Sequence, residues 1–151
     1  MTSQRTTGAL RSSLYPFAQI VLAVFLLADV FGCSPEPPQI TIEEPSGELS
    51  PVFIGAGSIY LKIRNNGGRD TLIGAAVSFP QAVTELHEVH ERRMVRVEKI
   101  DIPSQETVEL KPGSLHIMVF NMPRTVQAGT ELVLTLRFQR TGEKHVPVRI
   151  R

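Results

Sequence analysis

Between residues 58 and 150 apolar side chains recur at every second position in short runs, and the runs are closed by Gly, Pro or Asn. A period of two is the signature of a strand with one buried face, so this spacing commits the chain to sheet and leaves no segment with sustained helical periodicity. Ile59, Leu61 and Ile63 alternate with Tyr60, Lys62 and Arg64, and Leu132, Leu134, Leu136 and Phe138 alternate with Val133, Thr135 and Arg137. Asn65-Asn66-Gly67-Gly68 predicts a hairpin turn with 71–78 as the returning strand. Phe79-Pro80 ends that strand; residues 82–89 predict another, leading into a charged turn at 88–93 with 94–98 as its far arm. Pro103 and Ser104 break the chain before 107–110, Pro112-Gly113 is a turn pair, and Gly142 precedes a closing strand at 145–150. At the start, Ile40-Thr41-Ile42 predicts an edge strand followed by a loop from Pro45. About eight short strands without an internal repeat predict an all-β fold, an antiparallel sandwich with Greek-key connections.

The strand after Pro112-Gly113 carries unusual side chains. Alternation places His116, Met118, Phe120 and Met122 on one face, and Leu115, Ile117 and Val119 on the other, which reads as core. An imidazole and a thioether two residues apart suit a soft ion such as Cu(I). Taken alone, the strand is better explained by methionines filling core gaps and a satisfied, partly buried histidine. The wider distribution favours the metal. His87, His90, Met94, His116, Met118 and Met122 all lie between residues 87 and 122, whereas the strands at 58–78 and 131–138 contain no methionine. His87 and His90 are three apart, so a continuous strand points them to opposite faces.

With 16 Lys+Arg against 15 Asp+Glu, and Arg5, Arg11 and Asp29 all in the first 32 residues, the remainder is formally neutral. A nucleic acid partner therefore has no electrostatic support. Residues 1–33 read as an export signal: a basic start, then an apolar run at 20–28 too short to span a bilayer. Val30-Phe31-Gly32-Cys33 resembles a bacterial lipobox, which implies a lipid on Cys33 and an exported, membrane-anchored protein of the cell envelope facing the periplasm or exterior. The alternative is a plain secretory signal or an uncleaved anchor with an incidental cysteine. One cysteine cannot form an internal disulfide. Three prolines at 34–39 predict an extended tether, with a domain at 40–151.

The order of the metal-type residues resembles the PCu(A)C periplasmic copper chaperones, whose motif is a histidine, a methionine after ten intervening residues, and His-x-Met after 21 more. Here 21 residues separate Met94 from His116-Ile117-Met118, and Ile102-Pro103, the segment at 107–113 (TVELKPG) and the segment at 57–67 (GSIYLKIRNNG) match in context. The resemblance implies a cupredoxin-like fold and a Cu(I) site of His87, Met94, His116 and Met118, with His90 and Met122 as additional candidates. One departure stands out: only six residues separate His87 from Met94. A blue-copper role would need a cysteine thiolate, and zinc would leave the methionines unused. His87-Glu88-Val89-His90 is one residue short of a zinc-protease motif and lies in strand and turn rather than helix.

The resemblance further implies a non-enzymatic carrier that passes one Cu(I) to a copper-accepting membrane protein, such as the binuclear centre of cytochrome c oxidase or its assembly factors. Two other functions compete: a metal-free sandwich lipoprotein acting in adhesion or assembly, with His87 and Met94 splayed from His116 and Met118, and a copper-buffering or resistance protein. Arg92, Arg93 and Arg96 beside the site either meet a partner or form a solvated turn.

Overall fold

The structure is a computed structural model that describes residues 36–151. The export signal and Cys33 therefore lie outside the described residues. Among the described residues the regular elements are ten strands: β1 (Ile40–Leu49), β2 (Gly57–Asn65), β3 (Asp70–Val77), β4 (Val83–His90), β5 (Arg93–Val97), β6 (Ile100–Ile102), β7 (Thr107–Leu110), β8 (His116–Phe120), β9 (Glu131–Phe138) and β10 (Gly142–Ile150). They form one sheet in the order β5-β4-β8-β2-β1-β10-β9-β3-β6, with β7 also on β2. The sheet curls into a flattened barrel, and the Thr84 hydroxyl of β4 donates to the Ala75 carbonyl of β3 across the seam.

The alternating runs supply the interior as their period requires. Ile59, Leu61 and Ile63 from β2 meet Leu72, Ile102, Ile117, Leu134 and Leu136, all at most 2% exposed. Burying each such side chain contributes about 1.5–3 kcal/mol. All pairings are antiparallel except β1 with β10, which run parallel through Ser46 and Gly47.

Local turn chemistry misleads at two places. β1 is not a short edge strand: it runs on to Leu49 between β2 and β10. A bulge between Glu43 and Ser46, with Glu44 at φ 52°, accommodates Pro45, which has no N–H for a ladder bond. Asn65-Asn66-Gly67-Gly68 does not close a hairpin, because β3 pairs with β9 and β6 rather than β2. Pro112-Gly113 does turn, with Ser114 N donating to Lys111 O at 3.1 Å, yet the chain resumes its course along β2. β7 faces Leu61 to Arg64 and β8 faces Gly57 to Ile59, so the turn is an outward excursion within one line of pairing.

Asn65 explains the missing hairpin. It is fully buried, its Oδ1 accepts from Gln39 N (3.1 Å) and Gly67 N (3.0 Å), and its Nδ2 donates to Gly68 O (2.8 Å) and Pro103 O (2.9 Å). Of the segment expected as a tether, residues 36–39 lie bound against this turn. A Cβ on Gly67 would collide with the Pro37 carbonyl, and one on Gly68 with that of Glu36.

Candidate metal centre

The outer face of β5, β4, β8 and β2 collects four of the side chains singled out by sequence, His87, Met94, His116 and Met118. His87 on β4 is the direct register partner of His116 on β8, and Glu85 of Met118. Paired residues of antiparallel strands project to the same side, so all four share one face. Leu86 and Ile117 project to the other side, into the core. Ser58 of β2, opposite Met118, completes the row.

The two imidazoles touch, with ring centroids 5.9 Å apart and planes at 47°. Tyr60 lies 6.3 Å from the His116 ring and Phe120 6.4 Å from that of His87. His116 is only 3% exposed and Met118 8%. Met118 nonetheless stands apart from the main apolar core, and its sulfur accepts a hydrogen bond from the Ser58 hydroxyl at 3.2 Å.

Among the described residues, each ring has one nitrogen engaged and one without a partner. His116 Nδ1 is 2.8 Å from the Ser114 carbonyl, and His87 Nε2 is 2.9 Å from Glu85 Oε2. A carbonyl only accepts, so His116 carries its proton on Nδ1; a carboxylate does the same for His87 Nε2. The opposite nitrogens, His87 Nδ1 and His116 Nε2, are buried and make no hydrogen bond among the described residues. Unpartnered buried polar atoms are costly, and a second nitrogen anchored on a carboxylate or carbonyl is the arrangement of metal-binding histidines. The His87 hydrogen bond holds the Glu85 carboxyl below the usual carboxylate range; burial opposes this and Arg96, 3.2 Å away, assists it. Among the described residues no three His, Cys, Asp or Glu side chains converge, so a cation held here would need sulfur donors as well.

Met94 sits on β5, paired with Val89, one diagonal step from His87, whose own partner is Arg96. Diagonal neighbours lie roughly 7–8 Å apart, within reach of a long side chain. Met94 is 53% exposed, unlike Met118. Only six residues are needed between His87 and Met94 because the chain reverses in two, Glu91 (φ 48°) and Arg92 (φ 63°). The remaining candidates fall elsewhere. His90 faces the opposite side of β4, is 77% exposed and lies 4.0 Å from Glu91. Met122 does not share the His116 face: Asn121 at φ 58° breaks the alternation, and Met122 packs into the core. Sequence reading missed Glu85, Ser58 and the Ser114 carbonyl, whose roles depend on cross-strand register rather than on spacing.

A family model described as LpqE-like, a lipoprotein family, matches residues 40–150. A lipoprotein of Leifsonia xyli subsp. xyli, Lxx21020, is 26% identical over 102 residues, covering 63% of this chain and 61% of that relative's length. Among solved structures, the apo PCuAC domain from PmoF1 superposes with TM-score 0.63 at 23% identity, covering 74% of this chain and 92% of that one. The copper-bound PCuAC domain from PmoF2 gives TM-score 0.62 at 22% identity with the same coverages. CuI-DR1885 from Deinococcus radiodurans gives 0.57 at 18%, covering 82% and 83%. These likenesses establish the cupredoxin-like β fold anticipated from sequence.

Proposed function

The chain belongs to the LpqE-like lipoprotein family, and from that premise we propose that it is an exported carrier that binds one Cu(I) on its outer face and passes it to an acceptor. The observation that carries the reading is the pair of buried, unpartnered nitrogens, His87 Nδ1 and His116 Nε2, on touching rings beside the Met118 thioether. Two neutral imidazoles and one or two thioethers form a soft, uncharged donor set suited to Cu(I). The copper bound in the solved relatives with this fold is consistent with it.

His87, His116 and Met118 hold the ion from within the sheet, and Met94 closes the site from the exposed hairpin. Copper is cargo here rather than a catalyst. An acceptor's donor displaces Met94 first, since that is the ligand in solvent, and the deeper ones follow in turn. His90 and Met122 take no part. The acceptor class is a membrane protein with an empty copper centre, such as the binuclear centre of cytochrome c oxidase. A lipid on Cys33 keeps carrier and acceptor at the same envelope membrane.

Competition with a chromophoric Cu(I) chelator under reducing conditions tests this. The wild-type protein should bind one equivalent, and His116→Ala with Met118→Ala should abolish binding while circular dichroism keeps its sheet signature. Wild-type affinity in the double variant overturns the site.

A further inference from the structure

One end of the barrel is built around a piece of the chain's own N-terminal side. The Glu36 carbonyl accepts from Arg140 Nη2 at 3.1 Å, and the Pro37 carbonyl accepts from Gly68 N at 3.1 Å. Gln39 uses both backbone groups, its amide on Asn65 Oδ1 (3.1 Å) and its carbonyl accepting from Asn66 N (3.0 Å). Glycines at 67 and 68 permit an approach that any side chain would block. A segment bound this way transmits position instead of swinging freely.

Ser34 and Pro35 alone separate Glu36 from Cys33. A chain spans at most ~3.3–3.6 Å per residue, so three residues of chain reach at most roughly 11 Å. β1 then leads away from this end: Ile40 pairs with Asn65 and Leu49 with Gly57. The metal-type side chains lie level with Ser58 and Tyr60 of β2, about five to seven residues from Asn65, which at the rise of a strand is roughly 17–23 Å. The loop bearing exposed Val52, Phe53 and Ile54 follows β1 at its far end.

We propose that the end formed by the turn at 65–68, the bound residues 36–39 and the neighbouring Arg69 and Arg140 is a bilayer-facing surface. A lipid on Cys33 seats it against the headgroups and holds the copper-binding face roughly 20 Å from the membrane. Arg69 borders an open cleft at this end and supplies a cation for lipid phosphates, whereas Lys99 in the same cleft is paired with Asp101 at 3.7 Å. The inference rests on the reading of Cys33 as the lipidated residue. It specifies the acceptor further: its copper centre must stand at a comparable height.

The test uses the full-length protein, produced in a bacterium and purified from its membranes into nanodiscs containing a gadolinium-chelating lipid, with amide broadening read by NMR. Gly67, Gly68 and Gln105, whose side-chain amide donates to the Asn66 carbonyl at 2.8 Å, should broaden severalfold more than Val52, Phe53 and Ile54. Ten Gly/Ser residues inserted between Cys33 and Ser34, which leave the folded body untouched, should even out the two groups. Equal broadening in the unaltered protein, strongest broadening at Val52 to Ile54, or unchanged polarity after the insertion overturns the proposal. The mass of the N-terminal peptide separately decides whether Cys33 carries lipid. Where it does not, a maleimide lipid coupled to that thiol, the only one in the chain, restores the attachment, so orientation is read independently of lipidation.

Discussion

In the proposed site, what His87 and His116 offer a metal is set by what their other nitrogens do. A histidine free to choose its tautomer presents a lone pair only part of the time, whereas a fixed acceptor on one nitrogen commits the other. For His116 the acceptor is a backbone carbonyl that no substitution removes; for His87 it is Glu85, itself held by Arg96. Glu85 is therefore the positioning residue that mutation can reach. Glu85→Gln retains an oxygen that accepts from Nε2–H and should keep Cu(I) affinity within a few-fold of wild type. Glu85→Leu removes the acceptor and should weaken affinity about 10–100-fold, the usual cost of losing such an outer partner. Chelator competition on both variants decides the matter, and equal losses would mean that Glu85 does not set the tautomer.

Among the elements, the β4–β5 hairpin carries the largest conformational cost. A two-residue connection twists correctly only with both central residues at positive φ, a conformation natural to Asn-Gly and unfavourable for side chains such as Glu91 and Arg92. Glu91→Asn with Arg92→Gly should stabilise the domain by about 1 kcal/mol and raise Tm by roughly 3–6 °C, read by urea and thermal melts. A lower Tm would show that those side chains make compensating contacts. The hairpin also shows what was legible in the sequence. The strands at 59–63 and 132–138 were, because burial of one face writes its period directly into side-chain type. The destination of each strand was not: a Gly-rich turn is the same whether the next strand pairs back or crosses to the other layer, as β3 does after Asn65. β6 has only three residues, too few to display a period. Strict alternation puts Met122 on the His116 face, but one residue of positive φ, Asn121, resets it, and an Asn, though it tolerates that conformation, does not by its presence announce it. The histidine pair was legible as a cluster, but its cross-strand register emerges only once β4 lies beside β8.

For the molecule as a whole, the two layers must be locked together without a disulfide, and Asp70 is one of the locks. It is 4% exposed at the start of β3, and its carboxylate accepts from Thr71 N (2.8 Å), Arg140 N (2.9 Å), Thr141 N (2.9 Å) and Thr141 Oγ1 (2.6 Å). Burial alone would push this carboxyl up, but the four donors together outweigh it and hold it below the usual carboxylate range. A folded-state pKa below the unfolded one means that the protonated form is disfavoured by folding. The associated stability is fully present above the unfolded value of about 3.9 and is lost as pH falls from there through the lower folded value. Asp70→Asn removes the charge and turns an amide donor toward N–H groups, so at neutral pH it should cost about 2–4 kcal/mol. The gap between wild type and variant should stay constant above about pH 5 and narrow below about pH 4, as the wild type surrenders what the variant never had. Urea midpoints of both proteins from pH 7 down to pH 3 measure that gap. A gap that stays constant to the lowest pH would mean that the β3 lock does not depend on charge, and acid sensitivity would then have to arise elsewhere in the barrel.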